Sequence, residues 1–498
     1  MRGLETNVRR LRKQVFVEIA RVAYNSQNVK DDIEAIPYII TPGDTPQYTD
    51  SIYRERAISS ERVRLAMGMS LRPEDKPVHV TQGIEMSDIS EKYYEPPLMQ
   101  VIPSACNACE ANMYEVSNQC KGCVAHPCSE VCPMNAISFV NGKSYIDQSK
   151  CIKCGKCKQQ CPYDAISHKT RPCADACGVG AIESDELGRA KINEDKCVSC
   201  GMCMVNCPFG AIADKSQIFQ LIRAMQEGKK VVAAVAPAII GQFGDYATPD
   251  KIKAALLKLG FADVYEVAMG ADAGCVAEAH HYVHEVVNGD LPFLLTSCCP
   301  SWSMLAKKCF PEMIDKISTE LTPMVATARM IKKKDPEASV VFIGPCAAKK
   351  LEASRRTVRS DVDYVITFEE LDAMLIARDI EFDDFRQGVP MEDASGAGRG
   401  YAVAGGVAKA VTAYIKELYP DVEVKVEHAE GLADCRKMLM LAKAGKKDGC
   451  LIEGMGCPGG CVAGAGTNIP INKATVAVKN FAGSTKKQLP DEMDLDLQ

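Results

Sequence analysis

Cysteine is the residue type whose number and spacing say most about the chemistry of this chain. The sequence holds 25 cysteines in 498 residues, and sixteen of them lie between Cys106 and Cys207. In an oxidising compartment so many cysteines would predict a disulfide framework, whereas in a reducing one they predict metal ligation. Thiolates are soft ligands that suit iron–sulfur clusters. The spacing of the sixteen decides between these interpretations.

An internal repeat organises the sixteen cysteines. Four Cys-x3-Cys pairs are each followed, after three residues, by Ala-Ile, and these pairs end at Cys132, Cys161, Cys177 and Cys207. Four Cys-x2-Cys pairs accompany them and begin at Cys106, Cys120, Cys151 and Cys197. Residues 142–147 and 188–193 precede the last two pairs at equal spacing, and each predicts a hairpin that delivers the chain to a metal loop.

The spacing also predicts which thiols share a cluster. In a Cys-x2-Cys-x2-Cys string three thiolates hold one four-iron cube, and the fourth cysteine, before proline, ligates the other cube of a pair. Exchange of the fourth ligand gives four sets: Cys120, Cys123 and Cys128 with Cys161; Cys151, Cys154 and Cys157 with Cys132; Cys197, Cys200 and Cys203 with Cys177; and Cys106, Cys109 and Cys173 with Cys207.

The fourth of these sets has the weakest support, because Cys106 and Cys109 come early in the chain. In addition, Cys177, which ends the Cys-x3-Cys pair that Cys173 begins, precedes glycine instead of proline. That early pair could instead bind zinc or stay as free thiols. Zinc throughout is disfavoured, because zinc sites rarely end in Cys-x3-Cys-Pro. The whole segment resembles bacterial ferredoxins and the multi-cluster electron-transfer subunits of anaerobic oxidoreductases.

The elements that must position these thiols separate into regions by composition. Residues 1–100 lack cysteine and form a helical or irregular region of unassigned role, and residues 101–215 form the ferredoxin-like domain. From 216 to 483, strand-like apolar runs such as 340–343 and 364–366 alternate with helical stretches such as 250–259. This alternation predicts an α/β domain with a largely parallel sheet. The polar, acidic residues 484–498 are expected to fray.

The N-terminus and the overall charge exclude several classes of protein. A net charge of −6 gives no reason to expect nucleic-acid binding. Glu18 and Arg21 interrupt any apolar signal-peptide core, and no segment has the roughly 18 apolar residues that span a bilayer. Apolar residues recur at helical spacing from Leu4 to Val22, which predicts an amphipathic helix with a solvated basic face. We therefore expect a cytoplasmic protein.

Three short motifs in the C-terminal half carry the remaining chemistry. They are Thr-Ser-Cys-Cys-Pro-Ser-Trp at 296–302, Gly-Pro-Cys-Ala-Ala-Lys-Lys-Leu-Glu at 344–352 and Glu-Gly-Met-Gly-Cys-Pro-Gly-Gly-Cys at 453–461. Each follows a short apolar run, so the cysteines are predicted to converge at strand ends. In type and order the motifs resemble the signatures that bind the active-site H-cluster in [FeFe]-hydrogenases. The resemblance spans residues 229–466, with the ferredoxin region as the family's usual accessory domain.

The resemblance implies which cofactors the chain binds. Cys299, Cys346, Cys457 and Cys461 would hold a [4Fe–4S] cube. Cys461 would also bridge to a diiron unit that bears carbonyl, cyanide and a dithiolate with a central amine. Up to four accessory [4Fe–4S] clusters complete the set.

The resemblance also implies roles for the residues around the diiron unit. Cys298 would exchange protons with the amine, since the ordinary thiol pKa of about 8.5 lies near working pH. Lys349 would hydrogen-bond a cyanide, with Glu352 as its charge partner. Met455 would pack against the diiron unit, and Pro237 would line the cavity.

A route for protons is implied as well. Glu278 and Ser318, twenty residues on either side of Cys298, match relay positions of the family. The family's next relay carboxylate and arginine fall on His281 and Glu285, so the outer part of the route departs from the pattern. Glu278, His281 and Glu285 lie at i, i+3 and i+7, one helix face that suits either a relay or plain solvation.

Two glycines depart from the family pattern too. Gly344 stands where methionine is common and Gly456 where alanine is common, which changes the packing beside the diiron unit and its reduction potential. The sequence therefore predicts a hydrogenase of variant type that interconverts protons and hydrogen. It would exchange electrons with ferredoxin or a similar carrier and obtain its diiron unit from maturation proteins.

A hydrogen or redox sensor that binds the same cluster with little turnover is the alternative. A cluster-assembly protein without a diiron centre is disfavoured, because it would need neither Cys298 as proton donor nor Lys349 as cyanide partner. A polyferredoxin would leave the C-terminal half unexplained.

Overall fold

The computed structural model describes residues 4–87, 89, 94–358, 361–391 and 394–492. Its helices are α1 (Asn7–Asn25), α2 (Val29–Ile40), α3 (Ile52–Ala66), α4 (Pro127–Glu130), α5 (Lys156–Gln160), α6 (Pro172–Asp175), α7 (Met202–Asn206), α8 (Ile218–Gln226), α9 (Pro249–Leu259), α10 (Ala268–Tyr282), α11 (Pro300–Cys309), α12 (Pro323–Lys334), α13 (Ala347–Ala353), α14 (Phe368–Ala377), α15 (Gly396–Gly400), α16 (Gly406–Leu418), α17 (Leu432–Lys443) and α18 (Ile471–Gly483). None of these helices has both the length and the apolar character that crossing a membrane requires.

The strands are short and fall in all regions after residue 98. They are β1 (Met99–Val101), β2 (Met113–Val116), β3 (Ile137–Val140), β4 (Lys143–Ile146), β5 (Ile166–Lys169), β6 (Ile182–Ser184), β7 (Ala190–Ile192), β8 (Ile212–Asp214), β9 (Val231–Val235), β10 (Asp263–Glu266), β11 (Phe293–Leu295), β12 (Ser339–Ile343), β13 (Tyr364–Ile366), β14 (Lys425–Glu430) and β15 (Cys450–Met455).

The cysteine-free N-terminal segment packs on the rest of the molecule through α1. This helix contacts α2, α3, α8 and α14, and it buries Val15 and Ile19 of its apolar stripe. The expectation that its basic face is solvated is wrong for Arg12, which is buried and lies 2.9 Å from Glu369 and 3.6 Å from Asp214. Two carboxylates offset the cost of burying that guanidinium.

The cysteine-rich segment is built from small antiparallel pairs and one-turn helices. β3 pairs with β4 and β6 with β7, which are the two hairpins that the repeat predicts. β2 pairs with β5, and β1 pairs with β8. The chain therefore enters and leaves this domain on neighbouring strands.

The C-terminal half contains two parallel sheets, in the orders β10-β9-β12-β13 and β11-β15-β14. β9 is buried along its whole length, which explains its unbroken apolar sequence. The apolar runs at 340–343 and 364–366 form β12 and β13, and 250–259 lies in α9. The predicted class, a ferredoxin-like region followed by an α/β domain with parallel strands, is confirmed.

A buried ionic junction joins the three regions. The ammonium of Lys350, in the middle of α13, is fully buried and donates to Asp214 Oδ2 at 2.8 Å, Glu370 Oε1 at 2.9 Å and the Lys215 carbonyl at 2.9 Å. It also lies 5.6 Å from the ring centroid of Tyr94. Because a buried charge without partners is costly, this junction fixes β8 against α14.

The described part of the C-terminal tail is held in place, contrary to the expectation that residues 484–498 fray. The N–H groups of Gly396 and Ala397 donate to the carbonyls of Lys487 and Gln488 at 2.8 and 2.9 Å, and Arg399 donates to the hydroxyl of Thr485. Residues 493–498 lie outside the described residues.

Candidate functional site

The three C-terminal motifs meet around one cavity at the carboxyl ends of β11, β12 and β15. Cys299 precedes the first turn of α11 and Cys346 that of α13, so the helix starts present both thiols. The cavity leaves about 870 Å³ unfilled by protein atoms. All four cysteines that the resemblance assigns to the cube line it: Cys299, Cys346, Cys457 and Cys461.

The other residues assigned to the diiron unit surround the same space. Cys298, Lys349, Met455 and Pro237 all line the cavity, together with Tyr401 and Phe342. Burial, and then the charge of Glu278, raise the pKa of Cys298 well above the ordinary value. The thiol therefore holds its proton at neutral pH unless a base accepts it.

The donor set fits a metal cluster that carries acceptor ligands. Lys349 Nζ forms an ion pair with Glu352 Oε2 at 2.8 Å, and this buried ammonium has no further hydrogen-bond partner among the described residues. An ammonium has three donors to satisfy, and a cyanide-like acceptor would satisfy one. Burial raises the pKa of Cys346 to about 11 and that of Cys461 to about 12, so metal binding would release their protons.

Glycines in the motifs allow the close packing of the cavity wall. A Cβ on Gly454 would overlap the ring of Trp302, and one on Gly344 would overlap the ring of Phe342. A Cβ on Gly456 would lie 2.8 Å from the Cβ of Ser301. Since Phe342 fills the space beside residue 344 and lines the cavity, the departure from the family's methionine has a steric cause.

Glu278 reaches this region from α10. Its side chain is 2% exposed, accepts the N–H of Ser297 at 3.1 Å and hydrogen-bonds the hydroxyl of Ser318. Burial raises the pKa of Glu278 to about 7. The carboxyl can therefore both accept and release a proton near neutral pH.

Glu320 is a site residue that the sequence analysis missed. Its Oε1 lies 3.7 Å from Nδ1 of His281, and its charge contributes to the raised pKa of Glu278. Its backbone is anchored as well, because its N–H donates to Ser318 Oγ at 3.3 Å and its carbonyl accepts the hydroxyl of Ser297 at 2.8 Å. The one sequence signal was its position two residues after Ser318.

The outer residues of the predicted stripe lie close to this group. The neighbouring carboxylate of Glu320 is the main cause of the raised pKa of His281. The chain passes from α10 into a π-helical turn, Val283–Val287, so Glu285 leaves the α-helical register. Exposure of the side chains rises from 19% at Glu320 and 16% at His281 to 44% at Glu285. Titratable groups thus run from the cavity wall to the surface.

The accessory cysteines gather in groups. Cys177, Cys197, Cys200 and Cys203 influence one another's pKa values, so they lie together. Cys106, Cys109, Cys173 and Cys207 line a second, smaller cavity. Cys120 and Cys128 both contact the Ser144 hydroxyl, at 3.9 and 3.4 Å. Cys157 lies near Cys151 and Cys154. The assignment of all sixteen cysteines to particular clusters stays a prediction.

Backbone N–H groups donate to the sulfurs in a repeated pattern. The alanines of the four Ala-Ile pairs each donate to the cysteine four residues earlier, at 3.2 to 3.4 Å. Ser144 donates to Cys120 at 3.5 Å, and Ala190, its counterpart in the repeat, donates to Cys106 at 3.4 Å. Cys106 therefore accepts the same kind of backbone hydrogen bond as Cys120. Backbone N–H groups that donate to cluster sulfurs tune the reduction potential of the cluster.

One cysteine connects the two domains. Cys200 lines the catalytic cavity and lies close to Cys346, while Cys203 lies close to Cys173 of the next group. In the described ranges, no three His, Cys, Asp or Glu side chains are arranged to hold a single metal ion. A four-iron cube spreads its thiolates more widely than one ion does.

Comparison with known proteins matches both domains. Residues 229–465 match the model of the iron only hydrogenase large subunit, C-terminal domain, and residues 144–167 and 190–213 match a 4Fe-4S binding domain. The periplasmic [Fe] hydrogenase large subunit of Nitratidesulfovibrio vulgaris is 31% identical over 372 residues, which cover 64% of this chain and 85% of that protein. Iron hydrogenase 1 of Clostridium pasteurianum is 29% identical over 387 residues, 67% of each chain.

Two further similarities are more limited. A cytosolic Fe-S cluster assembly factor of Kluyveromyces lactis is 39% identical over 92 residues, 18% of this chain and 20% of that protein. A solved [FeFe]-hydrogenase from Chlamydomonas reinhardtii has a TM-score of 0.43 at 22% identity, covering 54% of this chain and 87% of that one. On the identity and coverage of the N. vulgaris relative and the matched domains, the chain belongs to the iron-only, or [FeFe]-, hydrogenase family, with an H-cluster and [4Fe–4S] clusters as its cofactors.

Proposed function

We propose that this chain is a catalytically active hydrogenase that interconverts protons and hydrogen at the H-cluster. One observation carries the proposal: Cys298 lies on the wall of the cavity that the candidate cluster cysteines line, with Glu278 close behind it. A protein that only stored or delivered clusters would need neither a thiol beside the iron nor a buried carboxyl leading away from it.

The cavity residues hold and shield the cofactor in this proposal. Cys299, Cys346, Cys457 and Cys461 would ligate the cube, and Cys461 would also hold the diiron unit. When bound, the diiron unit would supply the iron at which the bond between two hydrogens forms or breaks. Lys349, which Glu352 holds, would donate to a cyanide. Met455, buried in β15, and Pro237 keep water from the cavity.

Protons reach the cavity through side chains of this chain. The Cys298 thiol gives its proton inward and is reprotonated from the carboxyl of Glu278. Glu278 is reprotonated through the hydroxyl of Ser318, its hydrogen-bond partner. Glu320 supplies the carboxylate that the family pattern has at position 281 and that this chain lacks there, and His281 connects Glu320 with the partly exposed Glu285.

Electrons pass through the accessory clusters to the cavity. The order of the cysteine groups supports a path that ends at Cys200, beside Cys346. We propose ferredoxin or a similar carrier as the external partner, maturation proteins as the source of the diiron unit, and a cytoplasmic location.

Infrared spectroscopy of the anaerobically matured protein tests the proposal, together with hydrogen evolution from reduced viologen. Carbonyl and cyanide bands with turnover would establish the enzyme. Bands with negligible turnover would refute catalysis in favour of a sensor. The absence of bands after competent maturation would refute the diiron assignment altogether.

A further inference from the structure

The two ferredoxin-type loops that begin at Cys151 and Cys197 are copies of one repeat in different surroundings. In the inner copy, Cys200 lies beside Cys346 and faces the catalytic cavity. Its counterpart in the outer copy, Cys154, is exposed, and it is the one exposed thiol among the sixteen, all of which the structure describes. One copy therefore contacts an electron acceptor within the chain, and the other presents the same edge to solvent.

The residues between the cysteines match these surroundings. The inner copy carries Val198, Ser199, Met202 and Met204, which are buried, and Ser301 of the catalytic domain donates to the Val198 carbonyl at 3.5 Å. The outer copy carries Ile152, Lys153, Lys156 and Lys158 at the same positions, and all four are exposed. The cysteine spacing is the same in both copies, while three apolar residues and a serine of the inner copy are replaced by one apolar residue and three cations in the outer copy.

The charge of the outer half is unlike that of the rest of the chain. Residues 120–165 contain six lysines and three acidic residues, whereas the whole chain has a net charge of −6. Lys150 pairs with Asp147 at 3.7 Å, but Lys153, Lys156 and Lys158 form no ion pair with any described residue. Lysines without internal partners that surround an exposed cluster ligand are available for an external one.

We propose that Ile152, Lys153, Cys154, Lys156 and Lys158, the lysine face, are the docking surface of an acidic electron-carrier protein. The inference rests on the proposed function in one respect, that electrons must enter or leave the chain. The lysines attract a carrier with a negative surface, and Ile152, 58% exposed, supplies the apolar contact at the centre. The contact of Cys200 with the catalytic domain shows how closely the same loop can approach an acceptor.

A charge-matched pair of variants tests the lysine face. The first variant is Lys153→Gln/Lys156→Gln/Lys158→Gln, and the control is Lys409→Gln/Lys416→Gln/Lys479→Gln, which removes three exposed lysines from the catalytic domain. Both lose the same net charge. The probe is an acidic two-cluster bacterial ferredoxin, with binding to the full chain measured by anaerobic calorimetry at low ionic strength.

The expected result is a rise in Kd of about tenfold for the lysine-face variant and less than about twofold for the control. The difference should vanish at about 1 M salt, where the screening length is roughly 3 Å. Carbodiimide, which joins lysines to carboxylates, should link the carrier to Lys153, Lys156 or Lys158. Equal Kd values for the two variants, or crosslinks confined to other lysines, would overturn the proposal.

Binding is measured without turnover, so this test is separable from that of the proposed function. Hydrogen evolution from reduced viologen is followed in parallel in all three proteins. Its absence from all three would count against catalysis, whereas the calorimetry and the crosslinks would still decide whether the lysine face binds the carrier.

Discussion

Replacing Glu278 with glutamine should make the protein more stable and less active at the same time. The carboxyl is buried, and burial raises its pKa from 4.5 to about 7. Since one pKa unit corresponds to about 1.4 kcal/mol, the ionised form costs the fold about 3 kcal/mol. Glutamine keeps an oxygen for the Ser297 N–H and carries no charge.

The sign of the pH dependence of stability follows from the upward shift in the pKa of Glu278. Between pH 4.5 and about 7 the folded carboxyl binds a proton that the unfolded chain has released. Stability of the wild-type protein therefore falls as pH rises through this window, and the penalty of about 3 kcal/mol is fully present above it. The glutamine variant lacks this fall in stability. The difference between its free energy of unfolding and that of the wild-type protein should therefore grow from pH 4.5 to about pH 8 and then stay constant.

Three measurements check the reasoning. Urea unfolding of both proteins across this pH range can be followed through Trp302, the sole tryptophan, which is buried in the catalytic domain. Infrared pH-difference spectra should show a carboxylic acid band with a midpoint near 7, and the variant should lack it. Turnover should fall by about a hundredfold or more, as for loss of a proton-transfer group.

Glu423→Gln is the matched control, because this carboxylate is exposed and lies outside the proposed relay. It should keep the infrared band and most of the turnover. A midpoint of the wild-type infrared band below pH 5.5, or full turnover in Glu278→Gln, would refute the assignment of Glu278 as the carboxyl that reprotonates Cys298.

Three further changes test other parts of the molecule. Cys298→Ala should keep the iron content but lose turnover, whereas Cys309→Ala, at an exposed thiol outside the cavity lining, should keep both; full activity of the first would remove the proton-transfer role. Cys106→Ser should lower the iron content by about four atoms per chain, and unchanged iron would mean that no cluster forms there. Lys350→Met should destabilise the protein by about 3 to 5 kcal/mol, because it removes the ammonium that two buried carboxylates share, while Lys409→Met should change stability by less than about 0.5 kcal/mol in urea unfolding.

Local patterns made much of the fold predictable. The apolar runs of β12 and β13 and the hairpins β3–β4 and β6–β7 follow from residues adjacent in sequence. The thiols of the cavity were identified by the resemblance of the three motifs to the hydrogenase signatures, and the cysteines of each motif lie close to the carboxyl end of a strand.

Contacts between distant segments were not predictable in the same way. Arg12 looks like one of several solvated basic residues until Asp214 and Glu369 come beside it. Glu320 joins the relay only because its loop folds against α10 and brings it to His281. Gly344 looked like a loss of packing, yet the ring of Phe342 occupies the space. No periodicity encodes such partners, since each depends on the fold already formed.

The buried junction around Lys350 limits how far this protein can be dissected. A fragment that began after residue 216 would retain Lys350, Glu369 and Glu370 but lose Asp214 and Arg12, so Lys350 and Glu369 would each lose a charge partner. A minimal enzyme made by trimming would need neutral residues at these positions, changed together. A foreign cluster domain grafted in place of the native one would have to bring its own acid to the position of Asp214. The cluster domain and the catalytic domain are therefore parts of one unit and cannot be exchanged as independent modules.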